Sequence, residues 1–360
     1  MAVGDTDAPA GLGDACLEPG VSSHLSVPHL GAVPARAASI DRPAAPCLIV
    51  NPLSFRASRG RELARLLATA RARGLEIVEI DSMAALSGAV ERILAQQQRH
   101  LIVYAGDGTV HAIVDQLASR AAGAWMPDLL VLPGGRSNMT AADLVAPGCT
   151  VAALERALDR LDDDVWDAAL EERCILRVEQ SPAPPRHGFL LGAALVHSVI
   201  RYCHDQRRRG GWRAGALSTP WCLLKLGVLS LFGRSGMACP KLRVVADGYG
   251  PLQGPLRVLL ATTLRHPIGW FNPYADRGQG DLRVTAVSLA APRFWWRLPR
   301  VLTGRFTAGM NEQTGYLSGR CRQLEVHGLT GYSLDGEKFD TDPERPVRIS
   351  CGPRIRLLRP

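Results

Sequence analysis

The sequence predicts an α/β protein: an N-terminal parallel-sheet α/β domain followed by a C-terminal β-sandwich domain, with a cleft between them. Two observations carry this. Between Cys47 and Leu161, short apolar runs alternate with segments of helical periodicity, which implies a parallel sheet covered on both faces. Beyond that point the segments read mainly as short strands separated by turn residues, as expected of an antiparallel sandwich.

The elements follow in order. Residues 1–44 lack a periodic apolar pattern and are rich in Gly, Pro and Ala, which predicts a disordered leader. Cys47–Val50 is an apolar run stopped by Asn51-Pro52. It precedes Arg59–Arg73, where Leu63, Leu66, Leu67 and Ala70 fall on one helical face. The unit then repeats: strand Leu75–Ile80, helix Ala84–Gln98, strand Leu101–Tyr104, helix Val110–Ala121, strand Leu129–Leu132 and a helix over Thr150–Leu161. This sets one domain at 45–163 and a β-rich one at 164–360, whose last strands pack back on the first. Its predicted strands are Cys174–Glu179, Phe189–Leu191, Leu242–Ala246, Leu256–Thr263, Leu282–Leu289, Leu324–His327 and Val347–Ser350, with helical insertions at Ala193–His204 and Ala214–Leu231.

Composition excludes several classes. With 360 residues, 46% hydrophobic and 21% charged, the chain has the mix of a folded protein with a sizeable core. No apolar run reaches the ~18–20 residues of a bilayer-spanning helix. The net charge is +8, and all basic residues except Lys225, Lys241 and Lys338 are arginine, whose planar fork suits phosphate and carboxylate partners. Arg201–Arg234 holds seven basic residues against the single acid Asp205, a stretch suited to an anionic surface. It lacks the interleaved aromatics of a recognisable RNA-binding module, so no nucleic-acid partner is expected. The nine cysteines show no CxxC pair, so neither a disulfide framework nor a zinc knuckle is indicated, and a cytoplasmic setting is expected. The N-terminus opens with Asp5, Asp7 and Asp14 rather than a secretion signal.

The chemistry concentrates in glycine loops. Tyr104-Ala105-Gly106-Asp107-Gly108-Thr109 lies between a strand and a helix, where glycines let backbone amides approach a phosphate and the helix N-terminus favours an anion. Asp107 in that loop suits a divalent cation or a hydroxyl held nearby. The same residues also suit an ordinary turn with Thr109 as N-cap. A second loop, Pro133-Gly134-Gly135-Arg136-Ser137-Asn138, again follows a strand. Two such loops at one end of a parallel sheet converge where such sheets bind ligands. Neither is a Walker A loop.

Asn51-Pro52 after the first strand, Gly106-Asp107-Gly108-Thr109 after the third, the Gly134–Asn138 loop after the fourth, and Leu334-Asp335-Gly336-Glu337 near the C-terminus together resemble the diacylglycerol kinase catalytic-domain family. That family includes bacterial lipid kinases and sphingosine kinases and is distantly related to NAD kinases. The resemblance covers about residues 46–360. It implies a nucleotide-binding α/β domain, a lipid-binding β-sandwich, ATP and Mg2+ as cofactors, and a peripheral enzyme at the inner face of the membrane. It implies nucleotide contacts from Asn51, Pro52, Ala105, Gly106, Asp107, Gly108, Thr109, Gly134, Gly135, Arg136 and Asn138, with Ser82 assisting. It makes Glu337 the general base, with Asp335 and Asp107 as catalytic partners. A carboxylate opposite bound phosphates can take the proton of an attacking alcohol. Taken without the resemblance, Leu334–Glu337 reads as a hairpin turn ending in a surface acid.

The chain departs from the family pattern at three places. Ala105 stands for the usual first glycine of the first loop. Arg136 and Met139 replace a threonine and a carboxylate in the second. Gln279 stands where the family carries the acid of a structural Mg2+ site, with Asp281 two positions on as a substitute. A lipid kinase, a soluble NAD kinase-like phosphotransferase and a nucleotide- or lipid-binding member of low activity are the readings open at this point. Trp295-Trp296 amid Arg293, Arg297 and Arg300 reads either as a membrane-interface anchor or as aromatic packing under a helix. Trp221–Leu231 is the preferred lipid entry, and His197, His204 and Cys203 read as core or surface residues.

Overall fold

Strands β1 (Cys47–Val50), β3 (His100–Ala105) and β4 (Asp128–Pro133) are almost wholly buried. This is the pattern of strands covered on both faces by helices. With β2 (Glu76–Glu79) they form a parallel sheet in the order β2-β1-β3-β4, in the register Leu48↔Ile77, Ile49↔Val103 and Ile102↔Leu130. In this computed structural model the described residues are 45–121, 125–136, 138–144, 150–194, 239–265 and 271–360. Alternate strand residues serve opposite faces. Ile49, Val103, Leu129 and Val131 pack against α2 (Met83–Ala95) and α3 (Asp107–Ala121). Leu48, Val50, Ile102, Tyr104, Leu130 and Leu132 pack against α1 (Arg61–Ala72) and α5 (Thr150–Asp162). A short α4 (Met139–Leu144) follows β4.

The rest of the described chain is β-rich. It comprises β5 (Leu170–Glu179), β6 (Arg186–Gly188), β7 (Leu190–Ala194), β8 (Lys241–Ala246), β9 (Leu252–Thr262), β10 (Leu282–Ser288), β11 (Tyr316–Cys321), β12 (Gln323–His327), β13 (Gly331–Leu334), β14 (Glu337–Asp340) and β15 (Val347–Leu358), with α6 (Phe294–Leu302) between β10 and β11. These strands pair antiparallel around a core that includes Leu191, Val244, Leu259, Val284, Leu317, Val326, Leu334 and Ile349. β15 joins the two halves. It pairs antiparallel with β12 and β5, and its end meets β4 in parallel at Leu357↔Leu129.

The structure corrects several expectations. The final strand continues to Leu358 because polar residues such as Arg354 and Arg356 alternate with the buried Ile355 and Leu357. The strand expected at Phe189–Leu191 is β7, which runs from Leu190 to Ala194 with Phe189 between it and β6, and Ala193 and Ala194 end β7 instead of opening a helix. β11, β13 and β14 carried no strand signal of their own: glycines and polar residues interrupt them, and pairing with neighbouring strands holds them extended. The leader 1–44, the basic run Arg201–Arg234, Trp221–Leu231, and His197, His204 and Cys203 lie outside the described residues. No helix among the described residues is long and apolar enough to cross a membrane.

Candidate active site

Three loops at the C-terminal ends of β1, β3 and β4 are sewn together by short-range bonds. Asn51 continues from β1, its backbone N–H donating to Tyr104 O at 3.2 Å. Its amide Nδ2 donates to Thr109 Oγ1 at 2.8 Å, and its Oδ1 accepts from Leu53 N at 2.9 Å. Pro52 follows in the turn. Arg56 N donates to Gly134 O at 2.9 Å, and Gly134 N to Ala105 O at 3.0 Å. The glycines are there for close approach: a Cβ on Gly134 would lie 2.8 Å from Ala105 N, and one on Gly135 would lie 2.6 Å from Gly106 Cα. Ala105 itself ends β3 in extended backbone, so its methyl costs nothing.

Thr109 is not the N-cap the sequence suggested. The helix opens at Asp107, because Thr109 N and Val110 N already donate to Gly106 O at 3.0 and 3.1 Å. The Thr109 hydroxyl instead accepts from Asn51. The Asp107 carboxylate reaches across to the second loop, accepting from Asn138 N at 2.8 Å and Met139 N at 2.7 Å. Asn138, at φ +50°, closes its own loop by accepting from Gly135 N at 2.6 Å and donating to Gly135 O at 3.1 Å. Arg136 stacks over the Phe55 ring at 4.2 Å, and Arg59 lies over the same ring at 4.0 Å. Phe55 and Arg59 were not singled out in the sequence; the arginines that follow Asn51-Pro52 were the available signal.

Leu334-Asp335-Gly336-Glu337 is a hairpin turn between β13 and β14, with Leu334 opposite Glu337. Asp335 at φ +51° and Gly336 at φ +93° are the Asp-Gly pair such a turn requires. Asp335 is buried. Its carboxylate accepts from Leu190 N at 2.8 Å, Phe189 N at 3.0 Å and His111 Nδ1 at 3.2 Å. The turn is thereby pinned to β7 and to α3. Glu337, the residue after it, is exposed, and its Oε1 lies 3.0 Å from where a Cβ on Gly108 would stand. The carboxylate thus sits over the first turn of α3, beside the glycine cradle.

His111 is buried one turn further along α3. Burial opposes its imidazolium, but the bond to Asp335 and the charges of Asp335, Asp115 and Glu337 outweigh it and raise its pKa above the ordinary 6.5. Burial likewise opposes ionisation of Asp115, and the His187 side-chain and backbone hydrogen bonds overcome it, holding that carboxyl below its usual range. Neither His111 nor Asp115 stood out in the sequence, since each reads as an ordinary helix residue.

The remaining sequence-selected residues lie elsewhere. Ser82 caps α2, accepting from Ala85 N at 3.2 Å. Gln279 and Asp281 line a cavity of about 490 Å³ with Gly278, Gly280, Arg320, Arg322 and Cys351, and no residue of the glycine loops is part of it. Asp281 binds Arg354 Nη2 at 2.8 Å. With a neutral amide, a carboxylate already paired and two further arginines, this cavity does not fit a divalent cation. No group of three or more acidic, His or Cys residues suited to a metal occurs among the described residues. The glycine cradle does fit a phosphate chain: the 15-residue α3 begins there, and Arg136 and Arg59 lie beside it over the Phe55 ring.

Fold and cradle together define the class: an α/β domain with a candidate phosphate-binding cradle at the C-terminal ends of its parallel strands, joined to a β-rich half. Residues 45–165 match the family model described as the diacylglycerol kinase catalytic domain. No curated protein matches the chain. Two solved structures from Bacillus anthracis str. Sterne share the fold. One, named a "putative diacylglycerol kinase", superposes with a TM-score of 0.62 at 13% identity over 88% of this chain and 97% of its own. The other, named a diacylglycerol kinase, gives a TM-score of 0.56 at 13% identity with the same coverage.

Proposed function

We propose that the protein is an ATP-dependent lipid kinase transferring the γ-phosphate to a lipid hydroxyl, such as that of diacylglycerol or a sphingoid base, as a peripheral enzyme on the cytoplasmic face of a membrane. The observation that carries this reading is Glu337 Oε1 at 3.0 Å from the Cβ position of Gly108: a proton acceptor stands at the mouth of an anion cradle. The nucleotide phosphates lie against Ala105–Thr109 and Gly134–Asn138, with Asn51 and Pro52 bracing the first loop and Arg136 offering a cation. An acceptor hydroxyl between Glu337 and the terminal phosphate gives up its proton to the carboxylate as its oxygen attacks the γ-phosphorus, and the bond from that phosphorus to the β,γ-bridging oxygen breaks to release ADP. Asp335 acts through the turn, fixing where Glu337 points. Mg2+, when bound with the nucleotide, neutralises phosphate charge; such ions are commonly held by substrate phosphates with few protein ligands, which suits the lack of a carboxylate cage among the described residues.

The test is transfer of labelled γ-phosphate from ATP with Mg2+ into the chloroform-extractable fraction of micelles containing diacylglycerol, sphingosine or ceramide, with wild type and Glu337→Gln side by side. Labelled lipid from wild type is expected, with kcat reduced ~10²–10⁴-fold in the variant and nucleotide affinity retained. Bound nucleotide without labelled lipid would refute the lipid acceptor, and equal transfer by Glu337→Gln would refute the base.

A further inference from the structure

We infer that the outer face of α6 docks the protein on an anionic lipid surface, an inference that rests on the lipid-kinase reading for its biological sense but not for its test. α6 turns Phe294 and Val301 inward, with Leu298, onto Val287, Ala291, Met310 and Tyr316. Its other face leaves Trp296 86% exposed and Trp295 37% exposed, and Leu289, just before the helix, is 39% exposed. Trp296 is the most exposed of the large hydrophobic side chains among the described residues. Residues 289–305 hold four arginines and no acid.

The placement of these cations selects the partner. Arg300 lies four residues after Trp296, one turn along the same side of the helix, and Arg293 stands exposed at the helix N-cap, at φ +53°. Arg297 turns instead toward the Tyr316 ring, 5.4 Å from its centroid. Among the described residues, no ion pair engages Arg293, Arg300 or Arg305. An exposed indole on a short segment that also exposes Arg293, Arg300 and Arg305 is suited to the headgroup layer of a membrane, where the ring sits at the boundary and arginine meets lipid phosphate. A protein partner would need a pocket or groove to take up the indole's apolar area, and α6 offers an outward helix face edged by the exposed Pro292 and Pro299. Each arginine facing an anionic leaflet is worth about fivefold in partition, so Arg293 and Arg300 together supply about 25-fold on this scale.

The experiment is co-flotation of the full chain, without nucleotide, with vesicles of phosphatidylcholine alone or mixed with phosphatidylglycerol, at low and high salt. Wild type is expected to float with the anionic vesicles, to lose that partition at high salt, and to stay behind with neutral ones. Arg293→Ser with Arg300→Ser should lower the partition about 25-fold, and adding Trp296→Ser should lower it further, with Tm unchanged because all three side chains are exposed. Equal partition of the triple variant and wild type overturns the inference, as does equal partition on neutral and anionic vesicles. Loss on Trp221→Ser with retention by the α6 variants also overturns it, moving the surface to residues outside α6. Concentration-dependent self-association abolished by Trp296→Ser would make the face a contact with a second copy and overturn it too. Phosphate transfer to a dispersed short-chain acceptor, run in parallel, separates failure of the kinase reading from failure of docking: it should be intact in the α6 variants.

Discussion

Asp107→Asn is the substitution most informative about the cradle. The Asp107 carboxylate accepts from Asn138 N at 2.8 Å and Met139 N at 2.7 Å, tying the second glycine loop to the start of α3. An asparagine keeps one accepting oxygen and points an NH₂ at the other backbone N–H, so one bond is lost and two donors face each other. A hydrogen bond to a charged group contributes about 1.5–3 kcal/mol, and the remaining bond loses its charge, which sets the expected loss at about 2–4 kcal/mol. At roughly 2 °C per kcal/mol for a chain of this size, Tm falls by about 4–8 °C. The loop also loses its position, and a displacement of about 1 Å at a phosphate site costs up to ~10²-fold. The assays are thermal unfolding and titration with a fluorescent ATP analogue at several Mg2+ concentrations. The expected outcome is a lower Tm and a weaker nucleotide affinity at every Mg2+ concentration, with the half-saturating Mg2+ unchanged. An unchanged Tm, together with a shift confined to the Mg2+ requirement, would refute the clamp and make Asp107 a metal ligand.

Three further outcomes follow from the geometry. Gly135→Ala places a Cβ 2.6 Å from Gly106 Cα, so the two loops must part. Nucleotide affinity should fall at least ~10-fold with a stability loss of about 1–3 kcal/mol, and unchanged binding by calorimetry would contradict the close approach. His111→Asn removes a group whose folded pKa is raised above 6.5. The imidazolium therefore contributes stability that is fully present below pH 6.5 and is lost as pH rises through its raised pKa, so wild type should exceed the variant most in acid and the gap in urea midpoint should narrow as pH rises. A gap constant across that range would show that His111 does not titrate there. Ser82→Ala removes the cap of α2 and should cost about 1 kcal/mol with no change in nucleotide affinity; a weakened nucleotide with unaltered Tm would reverse that assignment.

The parallel half of the fold was legible because its strands are covered on both faces and so read as unbroken apolar runs: Cys47–Val50, Leu101–Tyr104 and Leu129–Leu132 all lie within observed strands. Helices α1, α2, α3 and α5 were equally plain from their periodicity. Helix starts were less so. Thr109 has the chemistry of an N-cap, but the Gly106 carbonyl accepts from Thr109 N and Val110 N and lets α3 begin at Asp107, three residues before the expected Val110. In the β-rich half, β11 with Gly319 and β14 with alternating charges carry too little apolar pattern to announce themselves; the partner strands decide them.

The sequence by itself determined the alternation of strand and helix, the glycine loops that follow β3 and β4, and the Asp-Gly turn that precedes Glu337, because each depends on neighbours within a few residues. Only the tertiary structure decided what those pieces do to one another. That Asp107 clamps Asn138 and Met139, that His111 and β7 hold Asp335, that Glu337 stands over Gly108, and that Asp281 is already paired with Arg354 are contacts between residues 31 to 229 positions apart. The Asp107 clamp follows from the parallel pairing of β3 with β4, and the other contacts from the return of the C-terminal strands to the first sheet through β15.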